Sequence, residues 1–146
     1  MNPKFYIGPM SKNIVDSILE FTQETKNLVG LIPSRRQVEW DGGYVNNWTT
    51  KAFSSYAQNA PLKRDHSGPG QGYTDDDGYI SLKEDCKYFD LIHIDPWKKY
   101  PSYKEGLKWT LDMINFCYEE NPNIQFEIGT EEAIRRFGPQ ELNQLV

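Results

Sequence analysis

Hydrophobic and polar positions along the chain switch repeatedly between two periods. Short, largely apolar runs occur at Lys4 to Gly8 (KFYIG), Leu28 to Pro33 (LVGLIP), Pro61 to His66 (PLKRDH), Asp90 to Asp95 (DLIHID) and Ile124 to Gly129 (IQFEIG). Each is bounded by turn residues and reads as a strand. Between them the apolar positions fall at helical spacing. Ile14, Val15, Ile18, Leu19 and Thr22 predict a helix over about 12–25, with Ser11 as its N-cap. Ala52, Phe53, Tyr56 and Ala57 predict a second helix after the Asp41-Gly42-Gly43 turn. Ser81 with Glu84 forms a capping-box pattern opening a short helix through Cys86 and Phe89. Ser102 with Glu105 opens a longer one, in which Leu107, Leu111, Ile114 and Tyr118 share the expected core face. A last helix is expected from Thr130-Glu131-Glu132.

Strands separated by helices imply right-handed βαβ units, a parallel sheet and an α/β fold in one domain over residues 1–146. Five such units fit either a doubly wound sheet or most of a (β/α) barrel. In both, ligands bind at the carboxyl ends of the strands, and here those ends are polar: Arg64-Asp65-His66, His93-Ile94-Asp95 and Glu127-Ile128-Gly129. The two-residue period sets Ile92 and Ile94 against His93 and Asp95, and Phe126 and Ile128 against Gln125 and Glu127. An apolar face for helices and a polar face at neighbouring strand ends suggest a barrel interior opening into a site.

Composition narrows the function classes. The net charge of -5, from 16 basic and 21 acidic residues, is the wrong sign for a general binder of nucleic acid. The apolar runs are too short to span a bilayer, and MNPKFYIGPMSKN lacks the apolar stretch of a signal peptide. Cys86 and Cys117 read as free thiols in a reducing compartment, so a cytoplasmic location is expected.

Asp65, His66, His93, Asp95 and Glu127 have the donor types to bind a divalent metal or to share acid–base work. The competing reading makes the aspartates turn caps and the histidines satisfied core residues. The glycine-rich run Ser67-Gly68-Pro69-Gly70-Gln71-Gly72 lets backbone N–H groups approach an anion, with Arg35-Arg36 and Lys98-Lys99 as cationic partners. Tyr73 to Glu84 matches a calcium loop at Asp75, Asp77, Gly78, Ile80 and Glu84, but Tyr73 occupies the first ligand position and no helix enters it.

Four motifs carry a resemblance. Gln37-Val38, Gly42-Gly43-Tyr44 and Thr49-Thr50 resemble QVNxxGGYTGMTP; Asp65-His66 with Gly68-Pro69 resembles GGDHLGPN. His93-Ile94-Asp95 resembles IHLD, and Ile128-Gly129-Thr130-Glu131 matches IGTE. Together, in this order, they resemble the accessory, non-catalytic-subunit family of class II tagatose-bisphosphate aldolase, a relative of class II fructose-bisphosphate aldolases.

The resemblance implies a TIM barrel binding ketose phosphates with a divalent metal, zinc, as cofactor. It implies Asp65 as acid/base and His66 as a metal ligand; the polar strand ends themselves put forward Glu127 as a second catalytic carboxylate and His93 as a second metal ligand. From the residues and motifs together, Arg35, Gln37, Gly68, Gly70, Asp95 and Lys98 are expected to contact substrate. The expected activity is that of an aldolase-like lyase on a tagatose- or fructose-bisphosphate-type substrate. The alternative is an accessory or sugar-phosphate-binding subunit that stabilises a separate catalytic chain; a homo-oligomer is a further expectation. Arg35-Arg36, Ser67, Gly70 and Pro96-Trp97 depart from the family pattern, which points to a divergent branch. With 2 histidines and five strands, against eight strands in about 250 residues for a full barrel, the chain is expected to be the N-terminal part of a longer barrel.

Overall fold

The computed structural model describes residues 3–129 and 136–145. Five parallel strands alternate with helices: β1 (Tyr6–Ile7), α1 (Lys12–Thr25), β2 (Gly30–Leu31), α2 (Thr50–Ala57), β3 (Lys63–Ser67), α3 (Tyr79–Tyr88), β4 (Leu91–Ile94), α4 (Tyr103–Glu120), β5 (Gln125–Ile128) and α5 (Pro139–Leu145). The helix expected from Thr130 begins outside the described residues.

The strands form two small parallel sheets, β1-β2 and β3-β4-β5, rather than a closed barrel. Single bridges at Leu31–Leu62 and Ser34–Asp65 run between β2 and β3, so the strands lie side by side in chain order. A doubly wound sheet would reverse that order at a switch point; the described strands show no reversal.

Local chemistry explains most helix ends. The Ser11 hydroxyl accepts the Ile14 N–H at 3.4 Å, and Lys26 closes α1 in a left-handed conformation with φ 60°. Thr49 caps α2 through the Ala52 N–H at 3.1 Å. Ser102 caps α4 by accepting the Glu105 N–H and donating its hydroxyl to the Glu105 carboxylate, so the predicted cap residue and its Glu partner meet.

Two sequence expectations are overturned. Ser81 does not cap α3: the helix starts two residues earlier, after Gly78, and the Asp77 carboxylate accepts the Tyr79 N–H at 3.1 Å. Ser81 is buried and donates to Glu39 at 2.6 Å. On α4 the buried stripe is Gly106, Thr110, Met113 and Cys117, whereas Leu111 and Tyr118 are more than half exposed. The reason is at the N-terminal turn. The Trp97 ring lies so close to α4 that a Cβ on Gly106 would stand 2.0 Å from it, so the face carrying a glycine at that turn is the one that approaches the ring.

The buried apolar residues form two clusters. One joins Val15, Leu31, Val38, Phe53 and Ala57; the other joins Leu82, Ile92, Ile94, Met113 and Cys117. A buried ion pair holds elements of both. Arg64 on β3 donates to both oxygens of Asp85 on α3, at 2.9 and 2.7 Å, and to the carbonyls of Pro33 and Val38. Its guanidinium lies 4.6 Å from the Phe89 ring centre. Burial pushes the Asp85 carboxyl up, opposed by Arg64.

Candidate active site

The polar strand ends meet where β3 is irregular. Arg64 pairs with Ile92 but Ser67 with Ile94, so three steps along β3 match two along β4. The extra residue is a bulge at Asp65-His66, and His66 takes a φ of 45° that is rare for a residue with a side chain. Successive strand residues normally point to opposite faces. The bulge instead lets Asp65 and His66 turn toward the same place, beside His93 of β4. The His66 and His93 rings stand 5.0 Å apart, and one donor atom from each of Asp65, His66 and His93 lies within 4.8 Å of the others.

Asp95 sets the orientation of this cluster from below. It is fully buried, and its Oδ2 lies 2.8 Å from His66 Nδ1. A carboxylate acceptor there makes Nδ1 the protonated nitrogen and places Nε2 on the Asp65 side, 3.8 Å from Asp65 Oδ1. The same Oδ2 and the Asp95 carbonyl both accept from the Gln71 amide, at 2.9 and 3.0 Å. Asp95 Oδ1 and the Ser67 hydroxyl are buried with no partner among the described residues.

His93 Nδ1 lies 3.4 Å from Asp65 Oδ1. Its Nε2 fits against Gly129, where a Cβ would stand 2.7 Å from that nitrogen and 2.8 Å from Asp95 Cβ. Burial pushes the Asp65 carboxyl up, but the hydrogen bond from His93 and the neighbouring His66, His93 and Arg64 outweigh it and hold the group below the usual carboxylate range. Trp97 closes the floor. It is fully buried, donates from Nε1 to the Gly129 carbonyl, and packs against Tyr103, Phe137 and Gly106.

The remaining predicted residues divide. Glu127 is the register partner of His93 across β4 and β5, and is exposed at the mouth. Gly68 abuts Asp95, within 3.3 Å of its carbonyl for a built Cβ. Arg35 is buried and engaged with Glu39 and Asp76 at 2.6 Å each, and with the Gly68 carbonyl at 2.7 Å. It braces the glycine loop from behind. Gln37 lies away from the cluster, accepting the Ser34 N–H at 2.8 Å and approaching Met10. Gly70 and Lys98 line a surface recess together with Arg36 and Lys99. The acidic run does not form a calcium loop: Asp75 pairs with Lys99, Asp76 with Arg35 and Glu84 with Lys87.

Gln71, Trp97 and Gly106 were not singled out as site residues by sequence. Gln71 sits inside a run valued for its glycines, and only the fold shows it turned inward.

Fold and site together define an α/β protein of parallel strands with a histidine–carboxylate cluster at the carboxyl ends of β3 and β4. A crystal structure of a probable tagatose 6 phosphate kinase from Sinorhizobium meliloti 1021 has the same fold, with a TM-score of 0.76 over 99% of this chain at 16% identity. The chain spans 42% of that protein's length. No family model matches the chain, and no curated protein matches it.

Proposed function

We propose that this chain is part of a (β/α)-barrel protein of sugar-phosphate metabolism, with a class II, metal-dependent aldolase-type site centred on Asp65, His66 and His93. The observation that carries the reading is the convergence of two imidazoles and one carboxylate, produced by a bulge, at adjacent strand ends. Strand order along the chain, as in a (β/α) barrel, supports it. The structural neighbour's description as a tagatose 6 phosphate kinase favours a phosphorylated sugar as ligand.

The donor set fits zinc, since imidazole nitrogen is among its preferred ligands and the two rings stand side by side at adjacent strand ends, leaving further positions open. His66 and His93 would hold the ion beside Asp65. When bound, the ion supplies Lewis-acid polarisation of a substrate carbonyl. Asp65, kept ionised by its histidine neighbours, takes a proton from a substrate hydroxyl and returns it in the reverse direction. Asp95 orients His66, and Glu127 stands at the mouth as a second proton-handling carboxylate. Gly68 and Gly70 give the substrate room to approach.

A second reading has a specific observation behind it. Each imidazole is already paired with a carboxylate, His66 with Asp95 and His93 with Asp65, as structural histidines are, which favours a non-catalytic subunit that stabilises a separate aldolase chain. The test is triose-phosphate release from fructose and tagatose 1,6-bisphosphates. Cleavage abolished by chelator and by Asp65→Asn is expected; cleavage surviving either overturns the metal-assisted mechanism. No turnover, with a catalytic chain co-purifying, selects the accessory role.

A further inference from the structure

The glycine loop that supports the candidate site has a second side. Gln71 turns inward to Asp95, whereas Gly70 and Gly72 line a surface recess of about 310 Å³ with Tyr73, Arg36, Lys98 and Lys99. Three cations surround this recess against one carboxylate, Asp75, in a chain whose net charge is -5. The local field is therefore opposite in sign to that of the whole molecule.

The cations differ in what they already hold. Lys99 is shared between Asp75 at 2.6 Å and the Asp76 carbonyl at 3.2 Å. Arg36 makes one long contact, Nε to the Gly72 carbonyl at 3.4 Å. Lys98 is exposed and has no acceptor among the described residues. A guanidinium with donors to spare and a free ammonium are the groups that recognise a phosphate. The wall is fixed: Arg35, held by Glu39 and Asp76, donates to the Gly68 carbonyl, and Gln71 pins the loop to Asp95.

We infer that this recess is the subsite for the phosphate group of a phosphorylated sugar, with Arg36 and Lys98 as its ligands and Lys99 as a fixed flanking charge. The inference rests on the sugar-phosphate reading above and names the place of its anionic end.

Inorganic phosphate is titrated into the full chain by calorimetry, with the Arg36→Gln/Lys98→Gln variant and Lys51→Gln as a charge control elsewhere. The double variant is expected to bind phosphate at least about tenfold more weakly, from the loss of two charge-assisted contacts, with Lys51→Gln unchanged. An unaltered affinity in the double variant, an equal loss in the control, or no phosphate binding by the native chain overturns the inference. Cobalt absorption at the histidine cluster is recorded in parallel and should not change in the double variant. Phosphate lost from the double variant while cobalt never binds the native chain would uphold the recess and sink the metal site. A competition arm in chelator separates the sources of phosphate. Displacement by fructose 1,6-bisphosphate is expected, and displacement by ATP alone would overturn the sugar assignment.

Discussion

His66 and Asp95 face each other across the ends of β3 and β4, with Nδ1 and Oδ2 2.8 Å apart and the carboxylate fully buried. The contact depends on a bulge that carries His66 into a left-handed conformation. A carboxylate behind an imidazole fixes the ring and raises its basicity toward whatever its other nitrogen meets.

Asp95→Asn should therefore weaken metal binding by roughly 10- to 100-fold, the usual effect of losing such a partner, while circular dichroism stays native. Competition with a chromophoric chelator reads the affinity. An unchanged value would remove Asp95 from the site.

Gly129→Ala should disturb the same cluster from the opposite side. The added methyl meets His93 Nε2 and Asp95 Cβ below 3.0 Å, and one of them must move. Overpacking of this kind costs about 1–3 kcal/mol, and urea unfolding together with the metal titration should show both losses. A variant with native stability and affinity would place His93 elsewhere.

Asp85→Asn leaves the Arg64 guanidinium buried against a neutral partner. Breaking a buried pair by removing one charge costs about 3–5 kcal/mol, a large fraction of a domain's stability. Chemical denaturation should show a lower midpoint with little change in slope. A change below about 1 kcal/mol would mean that the carboxyl contributes no charge to the pair.

Acid should loosen the glycine loop. The hydrogen bond from Arg35 outweighs partial burial and holds the Asp76 carboxyl below its usual range. A depressed folded-state value contributes stability that is fully present above the unfolded value near about 3.9 and is lost as pH falls through the folded one. Stability should fall below about pH 4, and Asp76→Asn should flatten that part of the profile. An identical acid limb in both proteins would show that the Arg35 contact adds nothing.

The α4 faces provide another check. Met113→Ala should cost about 2–5 kcal/mol as a core truncation, whereas Leu111→Ala should stay within about 0.5 kcal/mol. The reverse ranking would mean that the larger apolar residues face the core.

That helix also shows where sequence reading stops. Leu107, Leu111, Ile114 and Tyr118 make the more conspicuous apolar stripe, yet the sheet receives Gly106, Thr110, Met113 and Cys117. Periodicity weighs side-chain hydrophobicity and does not see that Trp97 leaves room only for a glycine at the first of these turns. Ser11 and Ser102 were legible because a cap depends on a few neighbouring residues. His93 and Asp95 were legible as one face of β4, since Ile92 and Ile94 are fully buried opposite them. Asp65 and His66 were legible as types but not as neighbours on one side. Their meeting needs an extra residue in β3, which no two-residue pattern announces. Arg35 and Arg36 looked alike in sequence; burial ties one to Glu39 and Asp76 and leaves the other at the recess.

Trp97 touches Gly106 on α4 and donates to the Gly129 carbonyl beneath His93. The floor of the site and the seating of a helix are thus one piece of packing, and a change to either is felt by both. Variation toward a new ligand has little room there. It has more at Arg36 and Lys98, which are exposed and carry little of the fold. Substitution at the rim would then change what is held there while leaving the floor, and the helix seated on it, as they are.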